Sequence, residues 1–201
     1  MLPSALVNTI DALSRLPGVG PRTAERYAYY LFKTSPRVAE DIADALSSLH
    51  SGVKSCPVTF ALIDASEEVS PLYADESRDR ATVMVVEEPL DIYAIEQTKS
   101  YKGTYHVLGG AISPIDGITP EQLHIGELIK RVNNDNVKEV IIATNPSVEG
   151  ESTALYLEKM LHEQNPELKL TRLARGLPLG VDLSYADQIT LSAALENRTQ
   201  L

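Results

Sequence analysis

The sequence has few of the features that mark several common classes of protein. Its single cysteine, Cys56, excludes an internal disulfide framework and is typical of a reducing cytoplasm. No apolar run is long enough to cross a bilayer, and Asn8 and Asp11 interrupt the first apolar face, so neither a membrane segment nor a secretory leader is expected. There is no glycine–lysine phosphate loop, and the four scattered histidines suggest no Ser-His-Asp or Cys-His arrangement.

Positive charge is also scarce, and it is unevenly distributed. The net charge of −10 is a poor overall signature for a protein that binds nucleic acid. Residues 1–56, however, carry six Lys/Arg and five Asp/Glu, whereas residues 57–201 carry twelve and twenty-three. Any contact with phosphate is therefore expected in the first quarter of the chain.

The stretch LPGVGPRTA, residues 16–24, lies between two segments whose apolar residues recur at helical spacing. Its two glycines allow a positive φ, and Pro21 suits the first turn of a helix. Such a turn is often only a tight corner, but its free N–H groups and nearby arginines favour a sequence-independent grip on a nucleic-acid backbone. The candidate DNA-binding residues are Arg15, Gly18, Gly20, Arg22 and Arg26.

The remaining sequence predicts a third helix, a connector and an α/β region. The third helix follows Ser35-Pro36, and residues 51–80 form a loop-rich connector with short strands near Thr59–Leu62. Strands and helices then alternate, which indicates a parallel sheet flanked by helices. The strands are predicted at 82–86, 105–108, 140–144 and 168–173, and the helices at 90–98, from Thr119, at 149–164 and at 185–197.

Acidic and amide side chains follow two of these strands, namely Glu87, Glu88, Asn145, Glu149 and Glu151. Parallel sheets place their sites at such strand ends. Converging carboxylates could hold Mg²⁺, but weakly without a further Asp, and the alternative is that Glu149 and Glu151 simply favour a helix N-terminus. Arg172 and Arg175 are interpreted as solvated surface rather than as a basic site.

Five blocks carry a resemblance to a known family: LSRLPGVGPRTAERYAYYL, SRDRATVMVVEEP, HVLGGAISPIDGI, IIATNPSVEGESTALYL and RLARGLPLGVDLSYADQITL. Together they resemble the bacterial recombination mediator family RecR over essentially the whole chain. The resemblance implies a helix–hairpin–helix unit over 1–54, a zinc-finger connector over 55–79, a Toprim domain over 80–175, and a C-terminal tail over 176–201 that contributes to subunit contacts.

The function implied by the resemblance is non-enzymatic. Members form ring-like oligomers, typically tetramers, that can encircle duplex or gapped DNA, and with RecO and RecF they help load the recombinase at single-stranded gaps. Arg22 and Arg26 fall at the DNA-contacting positions of the family, and its Toprim domain is chiefly a surface for partners. The alternative is a Toprim-type, magnesium-dependent nuclease or primase-like enzyme.

The connector departs from the family pattern of two Cys-x-x-Cys pairs. The four ligand positions here are Cys56, Thr59, Ser70 and Tyr73, and hydroxyl and phenol groups are poor zinc ligands. We therefore predict that zinc is lost and that packing holds the connector instead. The expected apolar cluster consists of Phe60, Leu62, Ile63, Val69, Leu72 and Tyr73.

The second departure is from Toprim enzymes, which resemble Asp-Pro-Asp-x-Glu-Gly-Glu where this chain has Asn-Pro-Ser-Val-Glu-Gly-Glu at 145–151. Both aspartates that would ligate magnesium are replaced, although Glu87 remains at the general acid/base position. We therefore expect no enzymatic activity and no required cofactor, with at most weak magnesium binding.

Overall fold

A computed structural model describes residues 2–198, and the chain divides into two compact units at Lys54 and Ser55. The first unit contains three helices: α1 (Ser4–Leu13), α2 (Pro21–Lys33) and α3 (Pro36–Gly52). The first two helices pack against each other, and α2 buries Ala24 and Ala28. By contrast, α3 buries none of its residues, so its apolar side chains remain largely exposed.

The connector contains two short strands and a one-turn helix. The strands β1 (Val53–Ser55) and β2 (Leu62–Asp64) form a two-stranded sheet, and α4 (Pro71–Ala74) follows. The short strands predicted near 59–62 are displaced, because Phe60 donates its N–H to the Cys56 carbonyl and turns the chain. The strand begins only at Leu62, after the turn has closed.

The main sheet is parallel and has the strand order β4-β3-β5-β6. This arrangement confirms the predicted α/β class. Its strands are β3 (Asp79–Val86), β4 (Gly103–Val107), β5 (Glu139–Ile142) and β6 (Lys169–Arg172). The remaining helices are α5 (Pro89–Glu96), α6 (Ile125–Asn134), α7 (Val148–Gln164) and α8 (Gln188–Glu196).

Both faces of the central strand β3 are buried, because successive side chains of a strand point to opposite faces. On one face, Val83 and Val85 belong to a cluster with buried residues of α6 and α7. On the other face, Met84 and Val86 pack with residues of β4, α5 and the connector. The connector is therefore attached to the sheet by packing within the second unit.

Two helices begin later than predicted. Thr119 and Gln122 do form a capping box, but they enclose only a 3₁₀ turn, and α6 begins at Ile125. The helix is interrupted because Leu123 adopts an extended conformation and enters the core. The last helix is also shorter than predicted, because it begins at Gln188 after Asp187 caps it through Thr190.

The strand order places the carboxyl ends of β3 and β5 side by side at a switch point. From β3 the chain continues to β4, which pairs with one edge of β3, and it then returns to form β5, which pairs with the other edge of β3. Parallel sheets place ligand sites at such a crevice. None of the helices among residues 2–198 is long and apolar enough to span a membrane.

Candidate nucleic-acid interface and acidic site

The turn between α1 and α2 is closed by two backbone hydrogen bonds. The N–H of Leu16 donates to the Leu13 carbonyl, and the N–H of Val19 donates to the Leu16 carbonyl. Each N···O distance is 3.1 Å. Gly18 has the predicted left-handed conformation, with φ of 77°. Gly20 does not use the positive φ that glycine allows, because its φ is −77°. A Cβ at either glycine would meet nothing within 4 Å, so the surface of this turn is open.

The N-terminus of α2 keeps several backbone donors available. Thr23 and Ala24 both donate to the Gly20 carbonyl at 3.0 Å, but no side chain caps the helix. The N–H groups of Gly18, Gly20 and Arg22 have no acceptor among residues 2–198. Free N–H groups and the positive end of the helix dipole together favour an anion at this position.

The arginines of the hairpin are exposed to solvent. Within the described part of the chain, Arg15, Arg22 and Arg26 form no ion pair with a carboxylate. In the second unit, by contrast, ion pairs engage Arg78, Arg131, Arg172 and Arg175. The hairpin arginines therefore remain available to an external anion such as a nucleic-acid phosphate.

The acidic site at the switch point is built on Glu87 and Asn145. Glu87 directly follows β3, and only 7% of the residue is exposed. The backbone N–H of Asn145 donates to Glu87 Oε1 at 2.8 Å, and Asn145 Nδ2 donates to Oε2 at 2.6 Å. The sheet thus brings these two predicted residues together, and both carboxylate oxygens of Glu87 already accept a hydrogen bond from Asn145.

Gly150 is a site residue that the sequence analysis missed. A Cβ at this position would overlap the Asn145 carbonyl oxygen and lie 2.7 Å from Glu87 Oε1. Its N–H donates to the N-cap Ser147 at 3.0 Å, and its carbonyl accepts from Thr144 Oγ1 at 2.9 Å. The available signal was a glycine in the first turn of a helix, where it is otherwise unfavourable.

The other acidic candidates have separate positions. Glu88 is the N-cap of α5, where it forms a capping box with Asp91. The Glu149 side chain has no hydrogen-bond partner among residues 2–198. No group of three His, Cys, Asp or Glu residues suited to a metal ion occurs in the part of the chain that the structure describes. Weak magnesium binding stays a prediction.

Glu151 is bound by two arginines. Arg172 donates to it through Nη1 at 2.6 Å and Nη2 at 3.0 Å, and Arg175 Nη2 donates to the same carboxylate. The hydrogen bonds from Arg172, followed by those from Arg175, lower the pKa of Glu151 to about 2. Both arginines lie at the surface as interpreted, Arg172 exposed and Arg175 partly exposed, but they are also paired with Glu151. Glu151 therefore does more than favour a helix N-terminus.

The four residues at the zinc-ligand positions of the family pattern have different surroundings. The Cys56 sulfur is fully buried and accepts N–H groups from Val58 at 3.5 Å, Thr59 at 3.4 Å and Ser70 at 3.2 Å. Burial alone would raise the pKa of this thiol, but the hydrogen bonds outweigh it and hold the pKa below its ordinary value. Tyr73 donates its hydroxyl to Asp135 at 3.2 Å. One thiol, two hydroxyls and a phenol do not fit a structural zinc ion.

The separate apolar cluster predicted for the connector does not form. Phe60 and Leu72 instead pack against the cluster on the main sheet, and Leu62 is more than half exposed. Ile63 is buried. The connector packs onto the sheet because three-residue strands and a one-turn helix have too little apolar surface to form a core of their own.

A helical hairpin with exposed arginines, together with a parallel sheet that has an acidic residue at its switch point, defines a helix–hairpin–helix and Toprim protein. Residues 7–50 match the family description "RecR, helix-hairpin-helix", residues 81–174 match "Toprim domain", and residues 176–199 match "RecR, C-terminal".

Close relatives extend over nearly the full length. The chain is 46% identical to Recombination protein RecR of Treponema denticola over 97% of this chain and 98% of the relative. It is 48% identical to the RecR of Moorella thermoacetica over 99% of this chain and 98% of the relative. The chain belongs to the RecR family, which confirms the resemblance noted from the sequence.

Proposed function

We propose that this protein is a DNA-binding mediator of recombinational repair that works through the α1–α2 hairpin. The observation that carries the proposal is the set of exposed arginines beside the open N-terminus of α2, which form no ion pair with any carboxylate of residues 2–198. Backbone N–H groups and arginines at this turn bind phosphates of duplex or gapped DNA without reading bases. The relatives named Recombination protein RecR support a role in recombination.

The proposed protein acts as a ring-like homo-oligomer, with a tetramer as the expected form. Exposed apolar side chains on α2 and α3 support this assembly, among them Phe32, Leu46 and Leu49. A largely apolar cavity of about 460 Å³ in the first unit is lined by residues that include Leu6, Tyr29 and Phe32. Several hairpins in one ring would multiply weak contacts, so a net-acidic chain could still hold DNA.

The proposed mediator acts in the bacterial cytoplasm with RecO-like and RecF-like partners, and it helps load the recombinase at single-stranded gaps. The second unit would serve these partners, since exposed Glu88 and half-buried Glu149 present carboxylates with no ion-pair partner among residues 2–198. We do not propose an enzyme, because Asn145 engages Glu87 and arginines engage Glu151. The proposed activity uses no cofactor.

Replacement of Arg22 and Arg26 together by alanine tests the DNA-binding site. The double variant should lose about tenfold or more in affinity for duplex DNA, because two charge-assisted phosphate contacts disappear. The slope of log affinity against log salt should also fall by about 2. Fluorescence anisotropy over a salt series measures both quantities, and thermal unfolding should show an unchanged fold.

The matched control replaces two exposed lysines of the second unit, Lys102 and Lys159, by alanine. This variant has the same net charge as the arginine variant, so a general charge effect would weaken both equally. The site assignment would be wrong if the arginine variant bound DNA at low salt as tightly as the unmodified protein.

A further inference from the structure

We infer that residues 56–73 form a brace that needs no metal ion, in which Tyr73, at the fourth zinc-ligand position of the family pattern, packs against both Arg80 and Arg131. The brace has three parts within the second unit: the buried Cys56 sulfur, the clamped Tyr73 ring and the stacked Phe60 ring. Each part uses a residue at or next to a position of the expected zinc site.

The first part joins the two halves of the connector at the Cys56 sulfur. Val58 and Thr59 donate their N–H groups from the near side, and Ser70 donates from fourteen residues further along the chain at 3.2 Å. These three hydrogen bonds surround a sulfur with no exposed surface. The sulfur thus joins the chain at residues 58–59 to the chain at residue 70. In a four-cysteine site, a zinc ion joins the two parts of the chain in the same way.

The second part attaches the connector to α6 and β3 through Tyr73. Its ring centroid lies 5.0 Å from the Arg80 guanidinium carbon and 5.1 Å from that of Arg131, within the range of cation–π attraction. Its hydroxyl donates to Asp135 at 3.2 Å, and Arg131 Nε donates to the same Asp135 oxygen at 3.3 Å.

The position of Arg131 is itself determined by hydrogen bonds to the sheet. It is buried, and it donates to the Tyr105 carbonyl at 2.5 Å and to Thr104 Oγ1 at 2.7 Å, both on β4. A buried guanidinium needs such partners, because its desolvation is otherwise unfavourable. The Tyr73 ring therefore rests on a cation that the sheet has already positioned.

The third part is Phe60, which has a left-handed backbone with φ of 59°. This conformation is uncommon for a bulky residue and must be offset by its surroundings. The ring stacks on His124 with 3.7 Å between centroids and meets the edge of His106 at 5.4 Å. The adjacent Thr59 carbonyl accepts the N–H of Val107 on β4 at 2.8 Å.

The brace predicts that the connector keeps its structure when metal is removed, and that Tyr73 is needed for it. The full-length protein, purified from cells grown with added zinc, should contain well below one zinc ion per chain by elemental analysis. An excess of a strong chelator should leave its melting temperature unchanged. Tyr73→Ala should lower the melting temperature by about 3 °C or more, because the cation–π contacts and the bond to Asp135 are lost together.

A local measurement separates the brace from general destabilisation. In Tyr73→Ala, the amides of Thr59, Ser70 and Val107 should exchange hydrogen about tenfold faster, whereas those of β5 remain protected. Tyr73→Phe keeps the ring and should cause a smaller effect. Tyr93→Ala, which removes a tyrosine that is 69% exposed on α5, should cause little change.

Stoichiometric zinc, or a melting temperature that falls with the chelator, would overturn the inference. So would a Tyr73→Ala variant that matches Tyr93→Ala in stability and in amide exchange. These readouts do not involve DNA, so failure of the brace and failure of the proposed DNA-binding function are distinguishable.

Discussion

At the scale of single residues, Asn145 and Gly150 decide the chemistry of the switch point. Two carboxylates in contact at this point would repel each other. With an amide at position 145, Glu87 instead meets a donor at 2.6 Å and a backbone N–H at 2.8 Å. Gly150 permits this approach, because any side chain there would collide with Asn145 and Glu87.

Gly150→Ala should therefore destabilise the protein, although alanine is the better helix former. The added Cβ would overlap the Asn145 carbonyl and displace Glu87, at a cost of about 1–3 kcal/mol in the free energy of unfolding. Urea unfolding of the two proteins measures this difference.

The control for that substitution is Gly126→Ala in α6, where a new Cβ would meet nothing within 4 Å. This variant should be neutral or gain up to about 1 kcal/mol from helix propensity. Equal stability changes for the two variants would show that the packing around Gly150 is not tight.

At the scale of elements, the start of α7 is tied to the chain that leaves β6. Glu151 belongs to the first turn of α7, Arg172 ends β6, and Arg175 lies three residues beyond. One carboxylate thereby holds two arginines at the point where the C-terminal segment begins. The segment that follows has few buried side chains, so this contact is a main restraint on where it departs from the sheet.

The ion pairs of Glu151 with Arg172 and Arg175 predict that the contribution of Glu151 to the free energy of unfolding depends on pH. Its pKa falls from an ordinary 4.5 to about 2 in the folded protein, so its contribution to stability is present above pH 4.5 and is lost as the pH falls from 4.5 to 2. Glu151→Gln should lose about 0.5–1 kcal/mol at pH 7, as expected for partly exposed ion pairs. The deficit relative to the unmodified protein should shrink on acidification.

Chemical denaturation at pH 7, 4 and 3 measures the deficit. Glu158→Gln is the matched control, because Glu158 is exposed on α7 and forms no ion pair with any residue of the described range 2–198. A deficit for Glu151→Gln that is independent of pH would contradict the assigned pairing.

At the scale of the whole molecule, the first unit carries more exposed apolar surface than a small monomeric domain needs. Phe32 is 76% exposed and lines the cavity of the first unit with residues of α1 and α2. Larger exposed apolar patches commonly mark protein–protein contacts. This surface supports the proposed assembly of several copies.

Phe32→Glu should therefore weaken self-association. Loss of a buried aromatic ring should lower the association constant by about tenfold or more for each interface. Size-exclusion chromatography with light scattering over a concentration series measures the mass, and duplex binding should weaken with it as avidity is lost.

Ile115→Glu provides the comparison, since Ile115 is 93% exposed in a loop of the second unit. It should leave the mass unchanged. A protein that is monomeric at all concentrations, with and without DNA, would refute the ring model.

The sequence by itself determined the element types, the basic hairpin and the positions of the site residues along the chain. Helical spacing indicated α1 and α2, and apolar runs indicated the strands, because these patterns depend on neighbours a few residues away. The sequence also predicted that Glu87 and Asn145 lie near each other, since the carboxyl ends of parallel strands meet at one edge of the sheet, but it did not predict their hydrogen bonds.

Only the tertiary structure decided which charges are engaged and what replaces the expected zinc. Arg131 and Arg172 are as charged in the sequence as Arg22, yet the fold places partners beside the first two and none among residues 2–198 beside the third. Tyr73 meets Arg80 and Arg131 only after the sheet and α6 have packed. Such contacts join residues far apart in the chain, and no local pattern records them.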